Sequence, residues 1–286
     1  MFKNLGPGAI GVKANLPESI ALAKKYGFQG VEFSISEAQQ IADAQGFAAL
    51  QALFQESGIK PGHWGFPVNF RGDENTWHEG LKALPKQAEL ARQLGCLRSA
   101  TWIMPADNDR DFFTNFNFHV SRLRPAAEIL KNYGCRLGLE FVGPKTVRNP
   151  RKYNFVHTLD GMLGLCAAIG TGNMGLLLDI YHHYTAHGTL DDLRKSLRNE
   201  DIVVVHLNDS QPGEIDELED LVRALPCETG VLDVAGFLNA VNDLGYDGPV
   251  TIEPFSKRLR EMSADDAVRE TGAAMDKSWQ VAGLAG

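Results

Sequence analysis

Eight short apolar or β-branched runs recur along this chain, and longer amphipathic segments separate them. This alternation predicts βα units and a parallel sheet, because parallel strands need long, usually helical, crossover connections. Eight units can close into a (β/α)8 barrel or spread as a doubly wound open sheet, and the count of eight favours closure. The candidate strands are GAIGVKA (8–14), GVEFS (30–34), IKPGHWGF (59–66), LRSATWIM (97–104), CRLGLEFV (135–142), NMGLLLDIY (173–181), DIVVVHLND (201–209) and PVTIEPF (249–255).

The segments between the strands carry helical patterns that end near a glycine, which can take the left-handed capping conformation. We expect a single α/β domain over 1–286, a (β/α)8 TIM barrel, because such barrels run to about 250 residues as one unit. A long acidic segment at 211–230 follows the seventh strand, and long loops at that end of a barrel often cover a site. The helical patterns are ESIALAKKYGF (18–28), ALPKQAELARQLG (83–95), RLRPAAEILKNYG (122–134), TLDGMLGLCAAIG (158–170) and VAGFLNAVNDLGYDG (234–248).

Charge and motif content narrow the range of functions. The 28 Lys+Arg and 36 Asp+Glu give a net charge of −8, which repels phosphate backbones and anionic membrane surfaces, so nucleic acid and membranes are not expected partners. No GxGxxG follows the first strand and no GxxxxGK[ST] occurs, so the usual nucleotide-phosphate cradles are missing.

The amino-terminal segment and the cysteines predict the cellular compartment. The start, MFKNLGPGAIGVKANL, lacks the basic end and long apolar stretch of a signal peptide, and no apolar run reaches a membrane-spanning length. The four cysteines are widely separated and form no CxxC pair, which favours reduced thiols over a zinc ribbon or a disulfide framework. The protein is expected to be soluble and cytoplasmic.

Four late strands end in an ionisable residue. Strands buried on both faces should read as apolar runs, so a charge at a strand end needs a partner or a task. All four residues lie toward the carboxyl ends, the face where barrel enzymes keep their chemistry. The residues are Glu140 in LGLEF, Asp179 in LLLDI, His206 in VVVHL and Glu253 in VTIEP.

Three carboxylates and one imidazole that converge on a point would repel one another and raise one another's pKa values. One divalent cation removes that conflict. Oxygen-rich ligation with a single nitrogen suits Mn2+ first, then Mg2+ or Co2+, with Zn2+ as a further alternative because ligand softness only biases selection. The sequence therefore predicts one metal ion held by Glu140, Asp179, His206 and Glu253.

The chain resembles the sugar phosphate isomerase/epimerase group of xylose-isomerase-like TIM barrels, which includes ketose 3-epimerases and inosose dehydratases. The resemblance runs across essentially the whole chain, and its most specific pieces are LGLEFVGP, GLLLDIYHHY, VVVHLND, RALPCETGVLD and GYDGPVTIEPF. It implies the same four metal ligands, with Glu140 and Glu253 also forming the proton-transfer pair. Relatives are often dimers or tetramers, so a homo-oligomer is possible by analogy.

The resemblance also implies that His182 and Arg223 contact substrate. The chain departs from the family at the turn, where a PGEG-like pattern is replaced by PCETG (226–230). By residue type alone, His182 is more often a loop or core histidine, and Arg223 a surface ion-pair member. His63 and Trp64 in GHWGF, with Trp102 in TWIM, could form an apolar wall for a sugar ring, although such residues more commonly pack in a core or rim.

These residues predict a metal-dependent isomerase or epimerase acting on a sugar or sugar derivative, a small-molecule sugar or cyclitol. Proton abstraction next to a carbonyl through a metal-stabilised enediolate is the natural chemistry. The same site also suits a lyase or dehydratase acting on a keto-sugar, an inosose or a 3-keto-glycoside. An abasic-site endonuclease-like hydrolase would need a histidine-rich trinuclear zinc cluster, and a non-catalytic carbohydrate-binding barrel would not need to concentrate three anions.

Overall fold

The structure is a computed structural model that describes residues 1–285. Eight parallel strands form a closed barrel in which each strand pairs with the next along the chain and the eighth pairs with the first. The predicted α/β class and barrel closure are confirmed. The barrel strands are β1 (Phe2–Leu5), β2 (Gly30–Phe33), β3 (Lys60–Gly65), β4 (Arg98–Ile103), β5 (Arg136–Phe141), β6 (Met174–Asp179), β7 (Ile202–Leu207) and β8 (Pro249–Ile252).

Twelve α-helices within residues 1–285 surround the barrel or lie in its loops. Three short 3-10 helices lie at Gly8–Ile10, Asn199–Asp201 and Ile215–Glu217. No helix in the described part of the chain is long and apolar enough to span a membrane. The α-helices are α1 (Leu16–Lys25), α2 (Ile35–Gln45), α3 (Phe47–Ser57), α4 (Glu74–Gln93), α5 (Phe112–Asn132), α6 (Lys145–Arg148), α7 (Leu159–Ile169), α8 (Ile180–Thr185), α9 (Leu190–Ser196), α10 (Val234–Asp243), α11 (Lys257–Arg260) and α12 (Ala264–Val281).

Local signals at the helix ends set these boundaries. Short polar side chains accept hydrogen bonds from the first-turn N–H groups, as Asp73 does for α4 and Thr158 for α7. The glycine that follows each predicted helical pattern takes a positive φ, which lets the chain turn back into the next strand. Gly134, with φ of 72°, makes this turn between α5 and β5.

The first strand is where the sequence prediction is wrong. It lies at Phe2–Leu5, whereas the predicted GAIGVKA segment begins with the 3-10 helix at Gly8–Ile10. Pro7 lacks an N–H for a sheet ladder, and Gly11 closes the turn with a φ of 79°. The observed strand does not show an apolar run because Asn4 faces the barrel interior. There its Nδ2 donates to Thr251 Oγ1 at 2.9 Å.

The strands separate two packing regions. Outward side chains such as Leu139, Leu178 and Val205 pack under the helices in the main apolar core. Inside the barrel, Ala100, Leu177 and Val204 form a small buried cluster below the polar residues of the carboxyl ends. This apolar plug closes the barrel, so the polar residues above it line the floor of a mouth and not a pore.

Candidate active site

The four predicted strand-end residues meet at the mouth of the barrel. Glu140, Asp179 and His206 lie at the carboxyl ends of three successive strands, and Glu253 follows the last residue of β8. One ligand atom from each lies within 4.8 Å of all the others. The Nδ1 of His206 is 3.6 Å from Glu140 Oε1, 4.0 Å from Asp179 Oδ2 and 3.4 Å from Glu253 Oε2.

The cluster contains buried polar atoms that have no hydrogen-bond partner in the part of the chain that the structure describes. Oε1 of Glu140 and both ring nitrogens of His206 have none. Such orphaned atoms are rare in folded proteins and indicate a missing ligand or a functional group. Three carboxylate oxygens and one imidazole nitrogen facing a common point fit a divalent cation.

The pKa values of the cluster are shifted because several carboxylates are buried close together. The pKa of Glu140 is raised well above its usual range by burial and then by the charge of Glu253. Burial alone would lower the pKa of His206, but the charges of Glu253, Glu140 and Asp179 outweigh it and raise that pKa to about 10. Burial also opposes ionisation of Glu253, yet the positive charges of His206 and Arg223 lower its pKa. A bound cation would relieve the same repulsion.

Arg223 lies directly beside two members of the cluster. Its Nη1 donates to Asp179 Oδ2 at 2.9 Å and to Glu253 Oε2 at 3.3 Å, and its Nη2 donates to Asp220 Oδ1 at 2.8 Å. The guanidinium is almost completely buried, and its pKa is raised because these carboxylates outweigh the desolvation. Arg223 therefore holds two of the three carboxylates of the cluster in place.

The segment at 211–230 returns Arg223 to the mouth by a short hairpin. Asp209–Ser210 pairs antiparallel with Arg223–Ala224, so the arginine lies beside the residues that follow β7. The carboxylate of Asp209 accepts backbone N–H groups from Ser210, Thr229, Gly230 and Leu232 and ties the far end of the loop to the barrel. In the PCETG turn (226–230), Cys227 takes a φ of 63°, a left-handed conformation that usually belongs to glycine.

His182 reaches the cavity because Asp179 starts a helix. Oδ1 of Asp179 accepts the N–H groups of Tyr181 and His182, so α8 begins directly after β6. His182 Nε2 lies 3.0 Å from Arg223 Nη2. The pKa of His182 is lowered to about 3 by burial and then by the positive charge of Arg223, so the ring is neutral near neutral pH.

A cavity of about 360 Å3 opens above the cluster. Glu140, Glu253, His182 and Arg223 line it together with Trp102, which is 43% exposed at the end of β4. A volume of this order is typical of small-molecule sites. The structure thus brings the predicted substrate-binding residues His182, Arg223 and Trp102 into one cavity with the cluster.

The aromatic prediction around β3 holds only in part. His63 points into the barrel, with its ring centroid 6.2 Å from that of His206, but it does not line the cavity above the cluster. Trp64 is fully buried on the helix side, where its indole N–H donates to the Cys96 carbonyl, so the expectation that it forms part of a sugar-binding wall is wrong. Neighbouring strand residues point to opposite faces, which separates these two side chains.

Sequence reasoning missed four residues in the site or next to it. Asn208 Nδ2 lies 3.2 and 3.3 Å from the two oxygens of Asp179, and Asp220 holds Arg223. Phe255, at a φ of 42°, lines the cavity and stacks under Arg223, and Glu32 lies 3.7 Å from His63. Glu32 and Asn208 follow the same strand-end rule as the cluster, whereas Asp220 and Phe255 lie in loops whose paths the pattern does not specify.

Known proteins share this architecture. The family model described as "Xylose isomerase-like TIM barrel" matches residues 20–278. An inosose isomerase from Bacillus velezensis is 23% identical over 260 residues, covering 90% of this chain and 89% of the relative.

Two solved structures extend the comparison. A xylose isomerase domain protein from Alicyclobacillus acidocaldarius superposes with a TM-score of 0.87 at 29% identity, covering 99% of both chains. A structure described as IOLI protein with a binding zinc atom shares the fold with a TM-score of 0.79 at 21% identity, covering 99% of this chain and 98% of that one. With 259 residues inside the match to the family model, the chain belongs to the xylose isomerase-like TIM barrel family.

Proposed function

We propose that this protein is a divalent-metal-dependent isomerase or epimerase that acts on a ketose or a cyclitol ketone. The observation that carries the proposal is the cluster of Glu140, Asp179, His206 and Glu253, whose ligand atoms lie within 4.8 Å of one another. The name of the inosose isomerase relative supports a cyclitol or sugar substrate, and the zinc in the IOLI structure supports a metal.

The four cluster residues would hold the ion. When bound, a divalent cation supplies Lewis acidity that polarises a substrate carbonyl and stabilises negative charge on its oxygen. Mn2+ remains the first expectation for three oxygen ligands and one nitrogen ligand, with Mg2+, Co2+ and Zn2+ as alternatives. The part of the chain that the structure describes offers one such cluster with one histidine, which does not favour a trinuclear, histidine-rich hydrolase.

Glu140 and Glu253 are proposed to move the proton. Both carboxylates line the cavity, and they come from β5 and from the end of β8, so they approach a bound ring from different strands. One carboxylate takes the proton from the carbon next to the carbonyl, and the other returns a proton to the opposite face. Return to the same carbon inverts it, and return to the neighbouring carbon isomerises the substrate.

Arg223 and His182 are proposed to orient the substrate. Arg223 is fixed by Asp220 and lines the cavity, where its positive charge attracts a carbonyl or hydroxyl oxygen of the substrate. His182 is neutral and lines the same cavity, while Trp102 offers an apolar face to the C–H groups of a ring. These contacts fix which carbon lies between the two glutamates.

Isotope exchange tests the proposal. The purified protein is stripped with chelator, reloaded with Mn2+, and incubated in D2O with a panel of ketoses and inososes, followed by NMR of the products. An isomerase or epimerase places deuterium at a carbon next to the carbonyl and requires the metal. Loss of water or cleavage of the substrate would identify a lyase, and chelator-insensitive turnover would refute the metal-dependent mechanism.

A further inference from the structure

Trp102 lines the cavity above the cluster from the carboxyl end of β4. It pairs with Glu140 in the register of β4 and β5, so the two side chains leave neighbouring strands on the same side of the sheet. The Trp102 N–H donates to no residue among 1–285, whereas the indoles of Trp64 and Trp77 donate to backbone carbonyls. Because an exposed ring can adopt several rotamers, the wall beside a proposed proton-transfer residue needs another contact to fix it.

Arg71, in the loop between β3 and α4, makes that contact. Its guanidinium carbon lies 4.1 Å from the centre of the Trp102 ring, and the guanidinium also donates to the Trp102 backbone carbonyl. The same carbon lies 4.2 Å from the centre of the Phe70 ring, and Phe70 is buried in the main apolar core. Arg71 therefore links an exposed indole to a ring that core packing already holds.

The loop holds Arg71 itself in a defined position. The N–H of Gly72 donates to the Asn69 carbonyl at 3.2 Å, and Asp73 accepts the N–H of Thr76 and begins α4. Partial burial lowers the pKa of Arg71 to about 10, so the guanidinium keeps its charge near neutral pH. No carboxylate within residues 1–285 forms an ion pair with it, which leaves the two aromatic rings and the carbonyl as its partners.

We propose that Arg71 is a positioning residue that fixes the indole of Trp102 as the wall against which the reacting ring lies. The inference rests on the proposed function and adds to it a residue that does not itself line the cavity. With the indole fixed, the C–H face of the substrate keeps one orientation relative to Glu140. Without Arg71, the indole samples other rotamers and the substrate binds less tightly, while the carboxylates that move the proton are untouched.

Fluorine NMR measures the indole directly. The four tryptophans are replaced by 5-fluorotryptophan, and the Trp102 resonance is assigned from its absence in Trp102→Phe. Arg71→Met keeps the length of the side chain and removes the planar charge, so fluorine relaxation should show increased nanosecond motion of the Trp102 ring alone. Arg110→Met is the matched control, because Arg110 lies 4.0 Å from the centre of the Phe118 ring, and neither residue lines the cavity. Unchanged relaxation of Trp102 in Arg71→Met would overturn the inference.

Steady-state kinetics show whether the fixed indole serves the substrate. The assay is Mn2+-dependent deuterium exchange with D-fructose or 2-keto-myo-inositol, whichever the wild type turns over faster. Arg71→Met should raise KM by about fivefold and keep kcat within about twofold, because it removes a cation–π contact and leaves proton transfer unchanged. Arg110→Met should match the wild type. A loss confined to kcat in Arg71→Met would contradict a role in holding the substrate wall.

A double-mutant cycle tests whether Arg71 acts through Trp102. Trp102→Ala removes the wall and should itself raise KM, and adding Arg71→Met should raise KM no further, because no ring remains to be positioned. Additive increases in KM would overturn the inference and leave the proposed function standing. No exchange with either substrate in the wild type would overturn the proposed function, and the relaxation of the Trp102 ring would still decide whether Arg71 fixes the indole.

Discussion

The two ends of the barrel treat buried charge in opposite ways. At the amino ends, Arg98 and Arg136 point inward, and their guanidinium groups donate to backbone carbonyls such as that of Val203, 2.8 Å from Arg98 Nη1. At the carboxyl ends, Glu140 Oε1 and both nitrogens of His206 have no hydrogen-bond partner among residues 1–285. Charge that the chain itself satisfies contributes to stability, whereas charge left unsatisfied indicates a site for something else.

Cavity size does not distinguish the two ends. A cavity of about 560 Å3 lies at the amino ends near Arg136, and it exceeds the 360 Å3 cavity above the cluster. The two cavities differ in their lining groups, because the charged groups of the amino-end cavity already have partners. Arg136 donates to a backbone carbonyl, and Arg198 forms ion pairs with Glu200 and Asp201. Unpaired donors and acceptors thus identify a site better than volume does.

The largest expected effect comes from removing one carboxylate of the mouth. Glu253→Gln keeps the shape of the side chain and removes its charge and basicity, so metal-supported turnover should fall by about 1,000-fold. Circular dichroism should show an unchanged fold. Glu56→Gln, a matched substitution on α3, should keep full activity. Retained turnover in Glu253→Gln would remove this residue from the proton-transfer pair.

Metal binding should stabilise the folded wild type, and the stabilisation should depend on the four cluster residues at the barrel mouth. Mn2+ at about 100 times its Kd should raise the free energy of unfolding by roughly 2.7 kcal/mol. His206→Asn should lose most of this gain, because it removes the nitrogen ligand from the cluster. Thermal unfolding with and without the ion measures both values. An equal gain in the variant would place the metal elsewhere in the molecule.

Asn208 should affect the metal without touching it. Its amide donates toward both oxygens of Asp179 and fixes the orientation of that carboxylate. Asn208→Ala should weaken Mn2+ binding by about 10- to 100-fold, as for other partners of ligating groups. Calorimetric titration with Mn2+ gives the affinity directly. An unchanged affinity would mean that Arg223 alone is sufficient to hold Asp179.

A substitution at the amino ends of the strands should lower stability and leave turnover and metal binding unchanged. Arg98→Met keeps the bulk of the side chain but removes the guanidinium donor from the carbonyl of Val203, which the Tyr246 hydroxyl also contacts at 3.3 Å, and should lower the free energy of unfolding by about 1 to 2 kcal/mol. Turnover and the Mn2+-induced stabilisation should stay close to wild type. Urea unfolding and the isotope-exchange assay measure the two properties. A large loss of activity at equal stability would contradict the division between the two ends.

The sequence predicts the cluster well because one rule determines it. Glu140, Asp179 and His206 each interrupt an apolar strand at its carboxyl end, and closure of the barrel brings such positions together. The rule fails for the first strand, where Asn4 faces the interior and breaks the apolar pattern. A closed barrel interior can accept a polar residue whenever a neighbouring strand supplies its partner, here Thr251.

The loop residues show a second limit of sequence reasoning. Asp220 and Asp209 lie among many acidic residues after β7. In the structure Asp220 pairs with Arg223, whereas Asp209 accepts backbone N–H groups of the loop, and the hairpin of Asp209–Ser210 with Arg223–Ala224 sets these different roles. Hydrophobic periodicity contains no information about a loop of this length. Alternation places His63 and Trp64 on opposite faces of β3, but it does not tell which of the two faces the barrel interior. The register of β2 and β3 also shifts between Val31 and Glu32.

The smallest expected effect tests whether burial alone marks a functional histidine. His119 is as buried as His206, but its Nδ1 lies 2.8 Å from the Asn115 carbonyl and its ring stacks on Phe155. Burial lowers the pKa of His119 to about 4, below its ordinary value near 6.5, so the unfolded chain takes up the proton first as the pH falls. Stability through this residue is complete above about pH 6.5 and is lost toward pH 4. Between pH 7 and pH 6 the loss should be about 0.7 kcal/mol, and His119→Phe should lack it in parallel urea titrations while keeping metal affinity. An unchanged pH slope in the variant would show that the ring is not held neutral by its surroundings, and the contrast with His206, whose ring is surrounded by carboxylates, would fail.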